Sequence, residues 1–417
     1  MKLFHILALL VSISAAFSYL NYRFLKLPTT IGLMLIAMVF SLGLNLLGPM
    51  SDAVERELES MLRSVDFDET LLHGMLSFLL FAGALHLDLN DLASQRGVIA
   101  MLATAGLIGA TLIIGALSWL AFGLLGLEIS FVYCLLFGAL ISPTDPIAVL
   151  GVLKQANAPK SLETKIAGES LFNDGVAVVL FLVLARIATG GEEVSAGTVL
   201  SLFVRETVGG VLFGLAAGGL AYWMLKRVDN YQVEVLITLA LTTGGYVLAE
   251  RLHLSAPVAI VVAGLLIGNH GRLLAMSDRT REHLDTFWEL VDEILNAVLF
   301  VLIGLEVLVL TFKTAYLQAS VLIIPIVLVA RLVSVGLPIG LMRRFRSFSP
   351  HVVKILTWAG LRGGISVALA LSLPAGEVRN TLVAVTYAVV VFSILVQGLT
   401  VGRVVRRATV TVQMEND

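Results

Sequence analysis

Apolar blocks follow one another along almost the whole chain, with only short polar joints between them. Each block is about 20 residues long, which as a helix is enough to cross a hydrocarbon layer of about 30 Å. Of the 417 residues, 58% are hydrophobic and only 14% are charged. Because no stretch remains for a separate soluble domain, the sequence predicts an all-α polytopic membrane protein in a lipid bilayer.

Hydropathy predicts thirteen transmembrane spans. An odd number suits an inverted-repeat transporter, in which two six-helix units of opposite orientation are joined by one linking helix. The first repeat would cover about 3–188, the linking helix about 197–225 and the second repeat about 231–402, with 403–417 as a short cytoplasmic tail. The predicted spans are 3–22, 27–47, 71–88, 97–124, 129–153, 165–188, 197–225, 231–252, 255–270, 286–311, 315–342, 351–373 and 378–402.

The first block, 3–22, begins with a lysine and contains small residues near its end, so a signal peptide is an alternative interpretation. We expect a first transmembrane helix there, because a helix fits the topology that the remaining joints define.

Lysine and arginine are divided unevenly between the two sides of the membrane in this topology. Of 28 such residues, eighteen lie in the joints after odd-numbered spans or in the tail, eight lie on the other side, and two lie within spans. Positive residues favour the cytoplasmic side, which predicts an N-terminus outside and a C-terminus in the cytoplasm. The expected location is the plasma membrane, which in a bacterium is the inner membrane. The acidic joint 51–70 then lies outside, as a solvated surface helix.

Several function classes are excluded by composition. The single cysteine, Cys134, lies in an apolar run, so neither a disulfide framework nor a thiolate metal site is expected. The basic residues are spread over many joints and form no single patch, so nucleic acid is not an expected partner.

Glycines in the seventh span recur at every fourth position. The segment GGVLFGLAAGG (209–219) contains Gly210, Gly214 and Gly218. Small residues at this spacing allow another helix to approach closely, so we expect tight packing against a neighbouring helix.

A few ionisable residues lie deep inside the apolar spans. Each costs at least about 2.5–3.5 kcal/mol at the bilayer centre, so each needs a partner or a hydrated cavity. At 1.5 Å of rise per residue, four of them lie roughly 12–17 Å from the cytoplasmic ends of their spans, near the midplane. These residues are Asp145, Asp174, Arg331 and Arg362, and Glu169 is a fifth buried charge.

Two spans carry breaks in their helical pattern. Pro143 and Pro146 lack amide hydrogens and restrict the residues before them, so SPTDP is predicted to unwind the fifth span around Asp145. In the twelfth span, glycines surround Arg362 in AGLRGGISVALA (359–370). The two spans run antiparallel. Paired broken helices in corresponding positions of two repeats indicate a transporter's binding site.

The sixth span adds oxygen ligands to this level. Glu169 and Asn173 lie four residues apart on one side of a helix, as do Ser170 and Asp174. Carboxylate, hydroxyl and carbonyl oxygens suit hard cations such as Na⁺, and no soft ligand lies nearby.

Together these segments resemble the sodium/proton antiporters of the NhaP and NHE type, in the monovalent cation:proton antiporter family. The resemblance covers essentially the whole chain and keeps the family's motif order. The matching segments are SPTDPIAVL (142–150), GESLFNDGVAVVLF (168–181), VLFVLIGLEV (298–307), ARLVSV (330–335) and GLRGGISVALALSLP (360–374).

The resemblance implies a role for each matching residue. Asp174 would bind either the cation or a proton, and Asp145, Thr144 and Ser170 would complete a Na⁺ site. Asn173 would order the site without carrying a proton. Glu169 is expected to pair with Arg331, and Arg362 to stabilise the crossing of the broken helices. Asn296 occupies a position that is acidic in some animal relatives, which leaves its role open.

The buried charges predict the stoichiometry independently. Three acids, Asp145, Glu169 and Asp174, face two arginines, which leaves one negative charge for one Na⁺ or one H⁺ to neutralise. We therefore expect electroneutral one-for-one exchange of Na⁺, or Li⁺, for H⁺ by alternating access. Relatives that drive electrogenic exchange carry a second aspartate where this chain has Asn173. The resemblance also implies a homodimer, and no cofactor beyond the transported ions.

Three alternatives remain at this point. Potassium-selective relatives share the architecture. The sequence does not fix the cavity size that would distinguish K⁺ from Na⁺. A cation channel would also place carboxylates at the midplane, but it needs no paired broken helices. An intramembrane aspartyl protease would use Asp145 and Asp174 as a dyad, which the buried arginines would disturb. We expect a transporter and not an enzyme.

Overall fold

A computed structural model describes residues 3–47, 58, 70, 74–155, 159–190, 196–271, 276–310, 313–346, 348–349 and 351–416. The surface helix predicted for 51–70 lies outside the described residues, apart from positions 58 and 70.

Helices account for nearly all of the described chain, as the apolar blocks predicted. Among the described residues, two pairs of helices continue into each other through a single π-helical turn, at Leu102–Gly106 and at Ser393–Gln397. In chain order the helices are α1 (Leu3–Leu20), α2 (Thr29–Leu47), α3 (Leu76–Leu85), α4 (Leu89–Met101), α5 (Leu107–Leu124), α6 (Phe131–Ile141), α7 (Ile147–Gln155), α8 (Lys160–Gly190), α9 (Ala196–Leu225), α10 (Tyr231–Arg251), α11 (Ala256–Leu266), α12 (Asp278–Leu305), α13 (Thr314–Met342), α14 (Val352–Trp358), α15 (Gly364–Leu371), α16 (Glu377–Phe392) and α17 (Gly398–Asn416).

Within the described residues, eight helices are long and apolar enough to cross a membrane, and three further apolar helices are shorter. Two of the predicted spans, the fifth and the twelfth, are each split into two short helices, α6 with α7 and α14 with α15. The thirteen-span count and the two inverted repeats stay predictions.

Three helix boundaries differ from the predicted spans by eight residues or more. Helix α4 begins at Leu89 instead of 97, because the Asp88 side chain accepts hydrogen bonds from the backbone amides of its first turn. Helix α12 begins at Asp278 instead of 286, and Ser277 caps it through the amide of Thr280. The last helix continues through most of the predicted tail, to Asn416. Hydropathy marks only the apolar part of a helix, so polar turns at its ends are missed.

The helices pack into two bundles. One, the core bundle, contains α4–α8 and α13–α17, and the other, the flanking bundle, contains α1–α3 and α9–α12. Helix α8 packs against α9 and α11 between the bundles, and α12 packs against α15. Each bundle thus combines helices from both halves of the chain, and both broken spans lie in the core bundle.

The seventh span, α9, packs closely against α11 through its glycines. A Cβ atom at Gly210 would lie 2.7 Å from the Ser255 carbonyl oxygen, and one at Gly218 would lie 3.0 Å from the Ala263 Cα atom. Gly214 likewise contacts the backbone of Ala259. The predicted close approach of another helix is present, and it anchors α9 within the flanking bundle.

Candidate functional site

The fifth span unwinds between α6, which ends at Ile141, and α7, which begins at Ile147. Pro143 and Pro146 cannot donate backbone hydrogen bonds, so a continuous helix would lose its ladder at both positions. The Asp145 carboxylate accepts a hydrogen bond from the amide of Ile147 at 2.9 Å. Asp145 therefore caps α7, where a negative charge is favoured by the helix dipole.

The twelfth span unwinds at the same level and crosses the first break. Residues 359–363 separate α14 from α15. The backbone amide of Asp145 donates to the carbonyl oxygen of Leu361 at 2.8 Å, which forms an antiparallel bridge between the two unwound segments. A side chain at Gly363 would overlap the Asp145 carboxylate, so the absence of a Cβ atom there allows the close crossing.

Arg362 binds the open end of α6. Its Nη1 atom donates to the carbonyl oxygen of Pro143 at 3.0 Å and also to that of Ser142. These carbonyls have no helical partner because the chain unwinds, and a cation at a helix C-terminus interacts favourably with the dipole. The backbone amide of Arg362 donates to Ser393 Oγ at 2.9 Å, and Ser393 in turn donates to Gln397.

Helix α8 supplies the polar wall opposite the crossing. Asn173 donates from Nδ2 to Thr144 Oγ1 at 2.9 Å and accepts from the Thr144 amide at 3.4 Å. The hydroxyl groups of Thr144 and Ser170 are hydrogen-bonded at 3.0 Å. All three side chains are buried. The amide of Asn173 thus fixes both the backbone and the hydroxyl of Thr144, and joins the first break to α8.

Asp174 lies one residue further along α8 and retains 8% of its exposure. Among the described residues, its carboxylate has no hydrogen bond or ion pair with protein. The carboxylate is close enough to that of Asp145 for the two to repel each other. An acid at this depth without a protein partner is unfavourable as a bare anion, and a proton or a cation would neutralise it.

Glu169 and Arg331 form a bidentate ion pair in the core bundle. Arg331 Nη2 donates to Glu169 Oε2 at 3.0 Å, and Nη1 donates to Oε1. Arg331 Nη2 also reaches the Leu356 carbonyl oxygen at 3.2 Å. Gly360 lies directly against the Arg331 guanidinium, where a Cβ atom would lie 2.5 Å from Nε. The pair therefore joins α8 and α13 to the second broken span.

The structure thus brings Thr144, Asp145, Ser170, Asn173 and Asp174 together at one level, where α8 faces the crossing of the broken helices. Oxygen atoms that could coordinate a cation are contributed by Asp174, Asp145, Thr144 and Ser170. Glu169 is paired with Arg331, and the Arg362 guanidinium is bound to backbone carbonyl oxygens.

Sequence reasoning missed two residues that support Arg362, Ser393 and Gln397, because neither is charged and both follow an ordinary apolar pattern. It also missed Asp292 on α12, which interacts electrostatically with Asp145 and His86. Asn296, one helical turn after Asp292, is buried. The spacing of Asp292 and Asn296, four residues apart, could have predicted a polar face on α12.

Comparison with known proteins matches the chain to sodium/hydrogen exchangers. Residues 10–407 match the family model described as "Sodium/hydrogen exchanger, transmembrane". The chain is 53% identical over 409 residues to a Na⁺/H⁺ antiporter NhaP from Pseudomonas aeruginosa, covering 96% of both chains. It is 34% identical over 393 residues to a Na⁺/H⁺ antiporter NhaH from Halobacillus aidingensis, covering 92% of this chain and 93% of the relative.

The fold is similar to that of the sodium proton antiporter MjNhaP1 from Methanocaldococcus jannaschii. The TM-score is 0.76 at 18% sequence identity, and the match covers 97% of this chain and 99% of the other. At this identity the likeness concerns the arrangement of the helices.

Proposed function

The chain belongs to the sodium/hydrogen exchanger family, and we propose that it exchanges one Na⁺, or one Li⁺, for one H⁺ by competition at Asp174. Cation/proton exchange follows from the family, which consists of transporters and not enzymes. The proposal adds that the two ions compete for one carboxylate. The observation that carries it is a buried carboxylate without a protein partner among the described residues, next to hydroxyl and carboxylate oxygens.

The oxygen atoms around Asp174 support a site for a hard monovalent cation. Thr144 and Ser170 share a hydrogen bond, and Asn173 holds the Thr144 hydroxyl in place. Because the Asn173 amide donates into this network and carries no titratable group, it orders the site and adds no second proton carrier. Asp145, held by the crossing, supplies the second carboxylate.

Charge balance supports one-for-one exchange. The Glu169 carboxylate is neutralised by Arg331. Arg362 lies at the crossing beside Asp145, so the remaining charge of this group in the core bundle is that of one carboxylate, with Asp292 on α12 counted in the flanking bundle. One Na⁺ or one H⁺ neutralises it, and the loaded site then carries the same charge in both directions.

Alternating access would follow from the two bundles. The core bundle contains both broken spans and the proposed cation site, while α9 is anchored in the flanking bundle by its glycines. We propose that the core bundle moves as a rigid body against the flanking bundle. An unloaded, charged site would pay a desolvation penalty on crossing, and this penalty couples the two ions.

Assembly and orientation complete the proposal. The protein is a multi-pass membrane protein of its family, and we place it in the bacterial inner membrane with the N-terminus outside and the C-terminus in the cytoplasm. The flanking bundle would form the contact of a homodimer, since movement of the core bundle requires a fixed partner surface. The predicted repeats, 3–188 and 231–402 about the linking helix, are part of the same proposal.

Sodium selectivity over potassium is supported by the relatives, whose names specify Na⁺. The test is ion-driven proton flux in proteoliposomes, with Na⁺, Li⁺ and K⁺ supplied in turn at equal concentration. We expect Na⁺ and Li⁺ to move protons and K⁺ to give only the flux of empty liposomes. Proton flux of equal size with K⁺ would contradict the proposed selectivity, and cation flux without proton flux would contradict exchange.

A further inference from the structure

Three buried polar atoms of the core bundle belong to residues that line one small cavity. They are Arg331 Nε, Arg362 Nη2 and Thr357 Oγ1, and none of them has a hydrogen-bond partner among the described residues. Arg331, Arg362 and Thr357 all line the same cavity, together with Gly360 and Gln397. A buried donor left unsatisfied costs about 1–3 kcal/mol, so three in one place indicate a common ligand.

Three other nitrogen atoms of the two arginines already donate hydrogen bonds to protein. Arg331 uses Nη1 and Nη2 for Glu169, and Arg362 uses Nη1 for the carbonyl oxygens at the end of α6. The amide and carbonyl groups of the Gln397 side chain bind Trp358 and Ser393. Arg331 Nε and Arg362 Nη2 are left without an acceptor among the described residues.

The size of the cavity decides the ligand. It offers about 10 Å³ to the centre of a water molecule, which is about the space that one ordered water needs. Its polar lining supplies two N–H donors and one hydroxyl group, and a buried water typically makes about three hydrogen bonds. We propose that one water molecule occupies this cavity, accepts from Arg331 Nε and Arg362 Nη2, and donates to Thr357 Oγ1.

A cation does not fit, because two of the three groups are guanidinium N–H donors with positive charge. A halide ion would be attracted by the two guanidinium groups, but it is larger than water and would add a negative charge to the core bundle. Water satisfies the same donors without a charge. It also links Arg331 on α13 to both parts of the twelfth span. Arg362 lies in the unwound part, and Thr357 lies in α14.

The site is separate from the proposed cation site, and it does not depend on which ion is exchanged. Helix α8, which carries Asp174, does not line it. The ligand therefore belongs to the framework that fixes the two arginines relative to each other, and it would move with the core bundle without taking part in ion exchange.

A density map of the purified protein, at a resolution that shows ordered waters, tests the proposal. We expect a single peak within about 2.7–3.2 Å of Arg331 Nε, Arg362 Nη2 and Thr357 Oγ1. Absence of the peak in a map that shows other buried waters would overturn the site. A second data set from crystals grown in bromide distinguishes the ligands, because an anomalous peak in the cavity would identify an anion and overturn the assignment of water.

Two variants at one position test the bonding in solution. Thr357→Val removes the hydroxyl at nearly constant volume, and Thr357→Ser keeps the hydroxyl but loses the methyl group. We expect Thr357→Val to unfold at a temperature roughly 2 °C below that of the unaltered protein for the one hydrogen bond lost, and Thr357→Ser to report the separate cost of the methyl group. Equal unfolding temperatures of Thr357→Val and the unaltered protein would show that Thr357 does not bind the ligand, and would overturn the three-partner site.

Discussion

Arg362 Nη1 lies 3.0 Å from the carbonyl oxygen of Pro143, although 219 residues separate the two positions in the chain. The contact joins the unwound part of one broken span to the open end of the other, and it places a positive charge where α6 leaves its carbonyls without helical partners. The position of Asp145 depends on this crossing, because its amide bonds to Leu361, the residue before Arg362.

Replacing Arg362 with glutamine tests the crossing. Glutamine keeps one N–H donor group but removes the charge, so at least one buried carbonyl loses a charge-assisted bond of about 1.5–3 kcal/mol. We expect a lower unfolding temperature and slower exchange together. Arg344→Gln, at an exposed position of the joint after α13, is the control and should change neither. Unchanged stability of Arg362→Gln would contradict the structural role.

Gly363→Ala tests the contact between the second break and Asp145. A Cβ atom at this position overlaps the Asp145 carboxylate, so that side chain must move away from the site. We expect the KM for Na⁺ to rise severalfold in proteoliposome exchange assays. Gly340→Ala is the matched control, because a Cβ atom there meets nothing within 4 Å. An unchanged KM for Gly363→Ala would show that Asp145 does not need its present position.

The ion pair of Glu169 and Arg331 should behave as a unit. Arg331→Ala leaves the Glu169 carboxylate buried and unpaired, which costs about 3–5 kcal/mol, so we expect severe loss of thermal stability. The double variant Glu169→Gln with Arg331→Met removes both charges and leaves the net charge of the core bundle unchanged. It should recover most of the stability and retain exchange. Equal stability of the single and double variants would contradict the pairing.

Electroneutral exchange predicts that an imposed membrane potential has no effect on the initial rate. A transported charge would gain or lose about 2.3 kcal/mol for each 100 mV, so electrogenic exchange would respond strongly. Sodium-driven proton flux measured with and without a potassium diffusion potential should therefore give equal rates. A rate that follows the sign of the potential would show that a net charge crosses the membrane in each cycle.

Local pattern was sufficient to predict much of this architecture. Pro143 and Pro146 remove backbone donors within an apolar run, and the glycines around Arg362 weaken a helix, so both breaks could be predicted from sequence. Helical rise alone predicted that Asp145 and Asp174 lie near one level, and their depth in the membrane stays a prediction. The resemblance suggested the pairing of Glu169 with Arg331, and the structure places the two side chains in contact.

Other features depend on contacts that no local pattern encodes. Ser393 binds the backbone amide of Arg362 across 31 residues, and nothing in its own apolar segment distinguishes it from a packing residue. The early start of α4 depends on a cap at Asp88, outside the apolar part of the helix. The cavity between Arg331 and Arg362 arises from three separate helices, so its lining is visible only after they are packed.

Competition between Na⁺ and H⁺ at Asp174 is the central claim, and proton release on sodium binding tests it most directly. Purified protein in a weakly buffered solution with a pH indicator is titrated with Na⁺, while bound Na⁺ is counted in parallel. Near the pH at which the site is protonated, we predict release of one H⁺ for each Na⁺ bound, and no release from folded Asp174→Asn. Sodium binding without proton release, or release that persists in Asp174→Asn, would contradict the account.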